Sequence, residues 1–417
     1  MDSGRMTFRI VVTLTVGCAL ASASCERSPS SATSEATRDS AGIHIIQHTG
    51  PAPAQWVVGD TVNIGKVEGT PEYTFNRVSD LSVGPDGRIY VLDSGDNVVR
   101  AYTPDGTFAY KLGGPGDGPS EFRGAYRLLW AGDTLEVFDA RVPKLVQFVG
   151  PAFVDSRPSR LTIWEYGGPA LLARVPEGFV AVFVTGCRLP RPKDLRPLWK
   201  VVTLDPTGAV RDTVAILTNT ATLPIYWATG CSGMNALGRA GPQLAVRPDG
   251  RAAYGDGSTY QVALFDLPAA PPGGYHGAMP KPDLVIRRQA EAPTLSQDSI
   301  DAYRSRYTKP PKDRPVNRDM IHAVEAAWDS TGFPDHLPFY RALLWDDQGR
   351  LWVGETPAEH ATVQRWAVYG DEGALLAEME LPVVLSVKAI SHERVWGTVT
   401  DELGVTYVRG YRIEPGG

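Results

Sequence analysis

The 417-residue chain is poor in the residues that build metal and nucleophile sites. It has four cysteines and seven histidines, with no CxxC pair, HxH or HExxH spacing among them. GxSxG is absent, so the serine-hydrolase elbow is missing. No apolar run reaches 18 residues, which excludes an ordinary membrane-spanning helix. Positive charge is not in excess: the net charge of −6 argues against a nucleic-acid partner. Long stretches free of helix breakers are also scarce, because 43 Gly and 34 Pro interrupt the chain. What is present is a folding composition, 43% hydrophobic and 21% charged.

A turn followed by a β-rich run recurs six times. Pro85-Asp86-Gly87-Arg88 leads into Ile89-Tyr90-Val91, and Gly132-Asp133 into Thr134-Leu135. Glu177-Gly178 leads into Phe179-Val180, and Pro248-Asp249-Gly250-Arg251 into Ala252-Ala253. Asp347-Gln348-Gly349-Arg350 leads into Leu351-Trp352, and His392-Glu393 into Arg394-Val395. Each turn follows an apolar run, the pattern of a β-hairpin. Counted on the second turn residue, the anchors fall at 87, 133, 178, 250, 349 and 393, with gaps of 46, 45, 72, 99 and 44. Three gaps define a period of about 45 residues, the length of a four-stranded propeller blade. The other two are one period plus an insertion. The last unit is one strand short and residues 61–75 have one to spare. The chain therefore predicts an all-β fold: a six-bladed β-propeller closed by an N-terminal strand, with a small helical insertion between blades four and five.

The run from Asp93 through Tyr102 to Pro104-Asp105-Gly106, followed by Lys111-Leu112-Gly113-Gly114, Gly118 and Glu121-Phe122, resembles an NHL repeat. The body, residues 50–417, resembles bacterial six-bladed propellers of that type. The resemblance implies the same ring. The zinc-binding histidines of NHL-type lyases and the Glu, Asn and Asp metal set of propeller lactonases have no counterpart pattern here.

The N-terminus reads as an address. Arg5 and Arg9 precede apolar residues 10–20, then Ala21-Ser22-Ala23-Ser24 and Cys25. This is the layout of an export signal over residues 1–24. It resembles a bacterial lipoprotein signal, which implies lipidation at Cys25, with Cys18 a second position and a simple secretory cut the alternative. Residues 25–49 read as a flexible tether. Localisation is then the cell envelope, membrane-anchored and facing the periplasm or exterior. Export permits a disulfide, and the two cysteines of the body, Cys187 and Cys231, allow one pairing.

The insertions lie at about 216–241 and 291–335. The first reads as an irregular loop tied down by Cys187. In the second, Thr294-Leu295-Ser296-Gln297 resembles a capping box ahead of Ile300, Tyr303 and Tyr307. Asn317 caps a second helix with Ile321, Val324 and Trp328 on one face. A lid over a face and an ornament on the side are both open.

Two sets of residues are candidates for chemistry. Asp93, Asp139, Asp256 and Glu355 each lie six residues beyond their anchor. Oxygen ligands of this kind suit calcium or another divalent cation. The competing reading is that each carboxylate caps amides of its own loop. Arg77, Asp80, Arg123, Tyr126, Arg127 and Arg341 enter the first strands of three blades and should approach the channel mouth, where guanidinium groups recognise carboxylates or phosphates. The leading expectation is a monomeric, lipid-anchored propeller that binds a small ligand or protein at one face, without cofactor. The alternative is a metal-dependent hydrolase or lyase at the channel mouth.

Overall fold

A computed structural model describes Met1 and residues 34–161, 169–184, 187, 198–267, 279–309, 317–391 and 393–416. Six antiparallel four-stranded sheets follow one another at residues 78–112, 125–158, 169–218, 243–288, 340–382 and 386–415, the last completed by strand β3 (Gln55–Ile64). At five of the six joints the first strands of neighbouring blades lie against each other, which makes them the inner wall of a ring. This is the six-bladed propeller, and β3 closes it by pairing antiparallel with Thr406–Pro415.

One apolar cluster fills each of the six interfaces between blades. Tyr90, Leu92, Leu128 and Phe148 join blades one and two, and Phe138, Leu145, Phe179 and Phe183 join two and three. The remaining joints are built around Val180 and Phe265, Leu264 and Val353, Trp352 and Tyr411, and Trp396 and Val91. The second and third strands are therefore buried on both faces, as the uninterrupted burial of Ile89–Asp93 and Val98–Tyr102 shows. The blade turns work as their composition predicts. Gly87 sits at φ 75° and Gly349 at φ 74°, where only glycine is unstrained. Asp86 and Asp346 accept hydrogen bonds from the amides of Arg88 (3.0 Å) and Arg350 (2.8 Å). Gly113, in the NHL-like run, has φ +72° and a Cβ there would strike the Phe122 ring at 2.0 Å.

The segment read as a tether departs from that reading. Strand β1 (Ser34–Ser40) and strand β2 (Ile43–Thr49) form a hairpin. Strand β2 also adds in parallel to the fourth strand of blade four, Leu284–Arg288. Ile45 and Ile46 are buried there, which is the apolar burial that a tether would not need. His48, fully buried, donates its Nε2 proton to the Gly373 carbonyl of blade five at 2.9 Å. Strand β3 then begins parallel to blade five, with Gln55 opposite Glu378, before it crosses to blade six. Residues 43–64 thus strap blades four, five and six together. Residues 2–33, including Cys18 and Cys25, lie outside the described residues.

Candidate functional site at the connection face

In each blade the second strand ends on the face where the first strand begins. Loops between second and third strands and connections between blades therefore share one face. The four aligned carboxylates all reach it, but they do not meet. Asp93, fully buried, accepts hydrogen bonds from the amides of Asn76 (2.8 Å), Arg77 (2.9 Å) and Gly95 (3.1 Å), and from Arg100 Nη1 (2.8 Å). Burial alone would raise its carboxyl, but the Arg77 and Asn76 amides and the Arg100 guanidinium outweigh it and hold it below the usual range. Asp139 repeats the device, accepting from the amides of Arg123 (2.7 Å), Arg141 (2.9 Å) and Val142 (3.1 Å). Asp256 is exposed and accepts from Ser258 N (2.9 Å) and Oγ (2.7 Å). Among the described residues no three His, Cys, Asp or Glu side chains are placed to share an ion. Asp93 and Asp139 instead staple the incoming strand to the next loop of their own blade. Glu355 is different, and faces a cleft between blades four and five.

The second set divides in two. Arg77 Nε donates to Ser94 Oγ at 2.9 Å, and Arg123 forks onto Asp117, with Nε to Oδ1 at 2.7 Å. Both are exposed and committed to their own loops. The others stand on the innermost strands. Tyr126 Oη donates to the Pro169 carbonyl at 2.9 Å, and Arg127 stacks 4.8 Å over the Tyr126 ring. Asp80 accepts from Leu81 N (3.0 Å) and Leu128 N (2.9 Å), joining blades one and two. Its burial raises the carboxyl towards neutrality, against the pull of Arg127, the two amides and Lys388.

Arg341 has no hydrogen-bond or ion-pair partner among the described residues, and surrounding protein lowers its guanidinium from the usual value. It is nonetheless exposed, on the innermost strand of blade five. Lys388 occupies the matching place in blade six, exposed and with no hydrogen bond or ion pair among the described residues, within the electrostatic reach of Asp80.

These two cations share a backbone device. In five blades the register of first against second strand slips by one residue, at Ser79, Tyr126, Ala170, Arg341 and Lys388. A β-bulge inserts one unpaired residue and re-aims its side chain. The ring of bulges therefore puts a cation at the equivalent innermost position of blades five and six, Arg341 and Lys388, with Arg127 a further cation on the first strand of blade two. Counting from the turn missed Lys388. Ser79, Ala170 and Arg341 precede their anchors (87, 178, 349) by eight residues, whereas Lys388 precedes 393 by five. The shorter first hairpin of blade six displaced it from the alignment.

The two insertions form one cap at this face. The first is a β-hairpin, Thr222–Trp227 with Gly230–Asn235, rather than an irregular loop. The second carries helices α1 (Gln297–Thr308) and α2 (Arg318–Thr331). Asn317 caps α2 as its sequence predicts, through Met320 N. Ser296 caps α1, two residues later than Thr294, because Thr294 is held in a bridge to His336. Ile225 and Met234 of the hairpin pack against Val324 and Trp328 of α2, with Tyr303 and Phe333 around them. The cap is pinned to three blades. Cys187 and Cys231 are joined in a disulfide, Gly241 N donates to Asp256 O (3.0 Å), and Ser296 N donates to Glu359 (3.0 Å).

No family model matches the chain, and no curated protein sequence does. Solved structures resemble it at low identity. An exported protein from Bacteroides fragilis is 9% identical over 89% of this chain and 99% of its own, with TM-score 0.44. A DUF4221 family member from Bacteroides vulgatus is 9% identical over 87% and 98%, with TM-score 0.45. Regucalcin from Agrobacterium tumefaciens, a calcium-binding protein, is 10% identical over 86% and 96%, with TM-score 0.38. Likeness at this level says nothing of ligand or chemistry.

Proposed function

We propose that this protein is an exported binding propeller that takes a small anionic ligand, a carboxylate or phosphate, at the capped mouth of its central channel. The observation that carries the reading is Arg341: an exposed guanidinium on an innermost strand with no hydrogen-bond or ion-pair partner among the described residues. Lys388 on blade six and Arg127 on blade two add to the positive field, while burial raises the Asp80 carboxyl from its ordinary value. A narrow site walled by protein strengthens such a field relative to open water. Of the residues expected here from sequence, Asp80, Tyr126, Arg127 and Arg341 stay in the proposal; Arg77 and Arg123 leave it, and Lys388 enters.

The Cys187–Cys231 disulfide supports an oxidising compartment. Export and lipidation at Cys25 rest on the N-terminal sequence alone. The metal-dependent hydrolase or lyase draws no support from Asp93, Asp139 and Asp256, each tied to its own loop.

The test is thermal unfolding with added phosphate and citrate at constant ionic strength. Wild type is expected to gain stability with anion concentration. Arg341→Ala with Lys388→Ala is expected to lose at least tenfold in affinity. Equal gains in both proteins would overturn the reading.

A further inference from the structure

The cleft that receives Glu355 lies away from the channel, between the outer halves of blades four and five, and has a volume of about 790 Å³. That volume falls within the roughly 300–1,000 Å³ of small-molecule sites. Its roof is the loop after Glu355 and the Gly50–Pro51 corner of the strap. Its floor is ionic. Arg288, 8% exposed, donates to Glu355 Oε1 at 3.1 Å and to Glu378. Tyr260 Oη donates to the same Glu355 oxygen at 3.0 Å. Gln55 Nε2 donates to Glu378 at 3.2 Å.

The charges in this cleft do not balance. One guanidinium serves two carboxylates on the floor. On the rim, Arg365 stands opposite Glu380 in the strand register and 3.9 Å from Glu355 Oε2. Glu291 and Glu380 are exposed and have no hydrogen-bond or ion-pair partner among the described residues. Two cations therefore face four carboxylates. Thr356, a lining residue only 6% exposed, has no hydrogen-bond partner for its hydroxyl among the described residues. A buried hydroxyl left unpaired costs about 1–3 kcal/mol, and such groups in native folds call for an explanation.

We propose that this cleft is a second binding site, for an organic cation with an ammonium head and a small apolar body. The head would sit at Glu355 and Glu380, and the body along Pro51, Pro357 and Val363. An inorganic divalent ion is disfavoured. It needs about six or more oxygen ligands at 2.0–2.6 Å, and no three ligand side chains among the described residues are so placed. Glu355 gives the site a pH signature. It is faced by Arg288 and Tyr260 from blade four and by Arg365 and Glu378 from blade five. Burial raises its carboxyl despite the two guanidinium groups and Tyr260. A bound ammonium favours the ionised form, so binding strengthens as pH rises through its titration and releases a proton. The site is independent of the anion reading for the channel.

The experiment uses the full chain and four probes followed by ligand-observed NMR: benzylamine, benzyl alcohol, benzoate and Mn²⁺. Benzylamine is expected to bind, and to bind at least tenfold more tightly than benzyl alcohol or benzoate. Glu380→Lys changes an exposed residue and keeps the fold; it is expected to weaken benzylamine at least tenfold. Glu355→Gln is expected to do the same and to abolish the pH dependence. Benzylamine no tighter than benzyl alcohol, unchanged binding in Glu380→Lys, or Mn²⁺ in the cleft in preference to the amine would each overturn the proposal.

Discussion

Asp93 and Lys388 show how differently single residues can be read from a repeat. Asp93 recurs at one register with Asp139, a pattern carried by the turn spacing alone. Its chemistry followed from the amides that converge on it, which come from 16 and 17 residues upstream and so belong to the folded blade. Its depressed pKa fixes the sign of a pH effect. The stabilisation is full above the unfolded value, near 3.8, and is lost as pH falls through the lower folded value. Asp93→Asn should therefore destabilise by about 3 kcal/mol at pH 7, the scale of a broken buried ion pair. In urea titrations the gap to wild type should narrow only below about pH 4. A constant gap from pH 3 to 7 would argue against an ionised Asp93 as the staple. Lys388 was not legible, because its position is defined by a bulge in strand pairing and no residue type marks a bulge.

Turn residues made the elements legible: Gly and Asp at the blade corners, Asn317 before α2. The cap was not legible as a unit. Its halves lie some 60 to 100 residues apart, and Ile225 meets Trp328 only after blades three and four have brought them to one face. The disulfide closes a sequence separation of 44 residues, which the chain-entropy model values at about 4 kcal/mol. Because α2 also holds the hairpin, Cys187→Ser with Cys231→Ser should loosen the cap rather than the ring. Limited proteolysis should cut first within residues 216–241, with the propeller remaining folded. Loss of the cooperative melt of the whole chain would mean that the cap is integral to the ring.

The whole molecule is closed by its N-terminal strap. Trp396, Ile64 and Val91 pack in the joint between blades six and one, and β3 supplies the outer strand of blade six. A chain beginning at residue 51 loses β1 and β2, uncovers the outer edge of blade four and should stay folded but melt below the full chain. A chain beginning at residue 66 loses β3, exposes the edge of blade six and should aggregate or unfold. Size-exclusion chromatography and circular dichroism distinguish the two. Equal behaviour would show that β3 is dispensable for closure.

The sequence alone determined the six hairpin units, their period and the missing strand that closes the last one. Those features are local, written in turn residues and apolar runs that act over a few residues. It also marked Arg341 and Glu355 as residues of interest. Tertiary structure decided what each of them meets. The strap over three blades, the single cap, the equivalent bulge positions of Arg341 and Lys388, and the cleft around Arg288 all arise where distant blades touch. Their geometry is set by ring closure, in which every interface must be packed at once, and no local pattern encodes it.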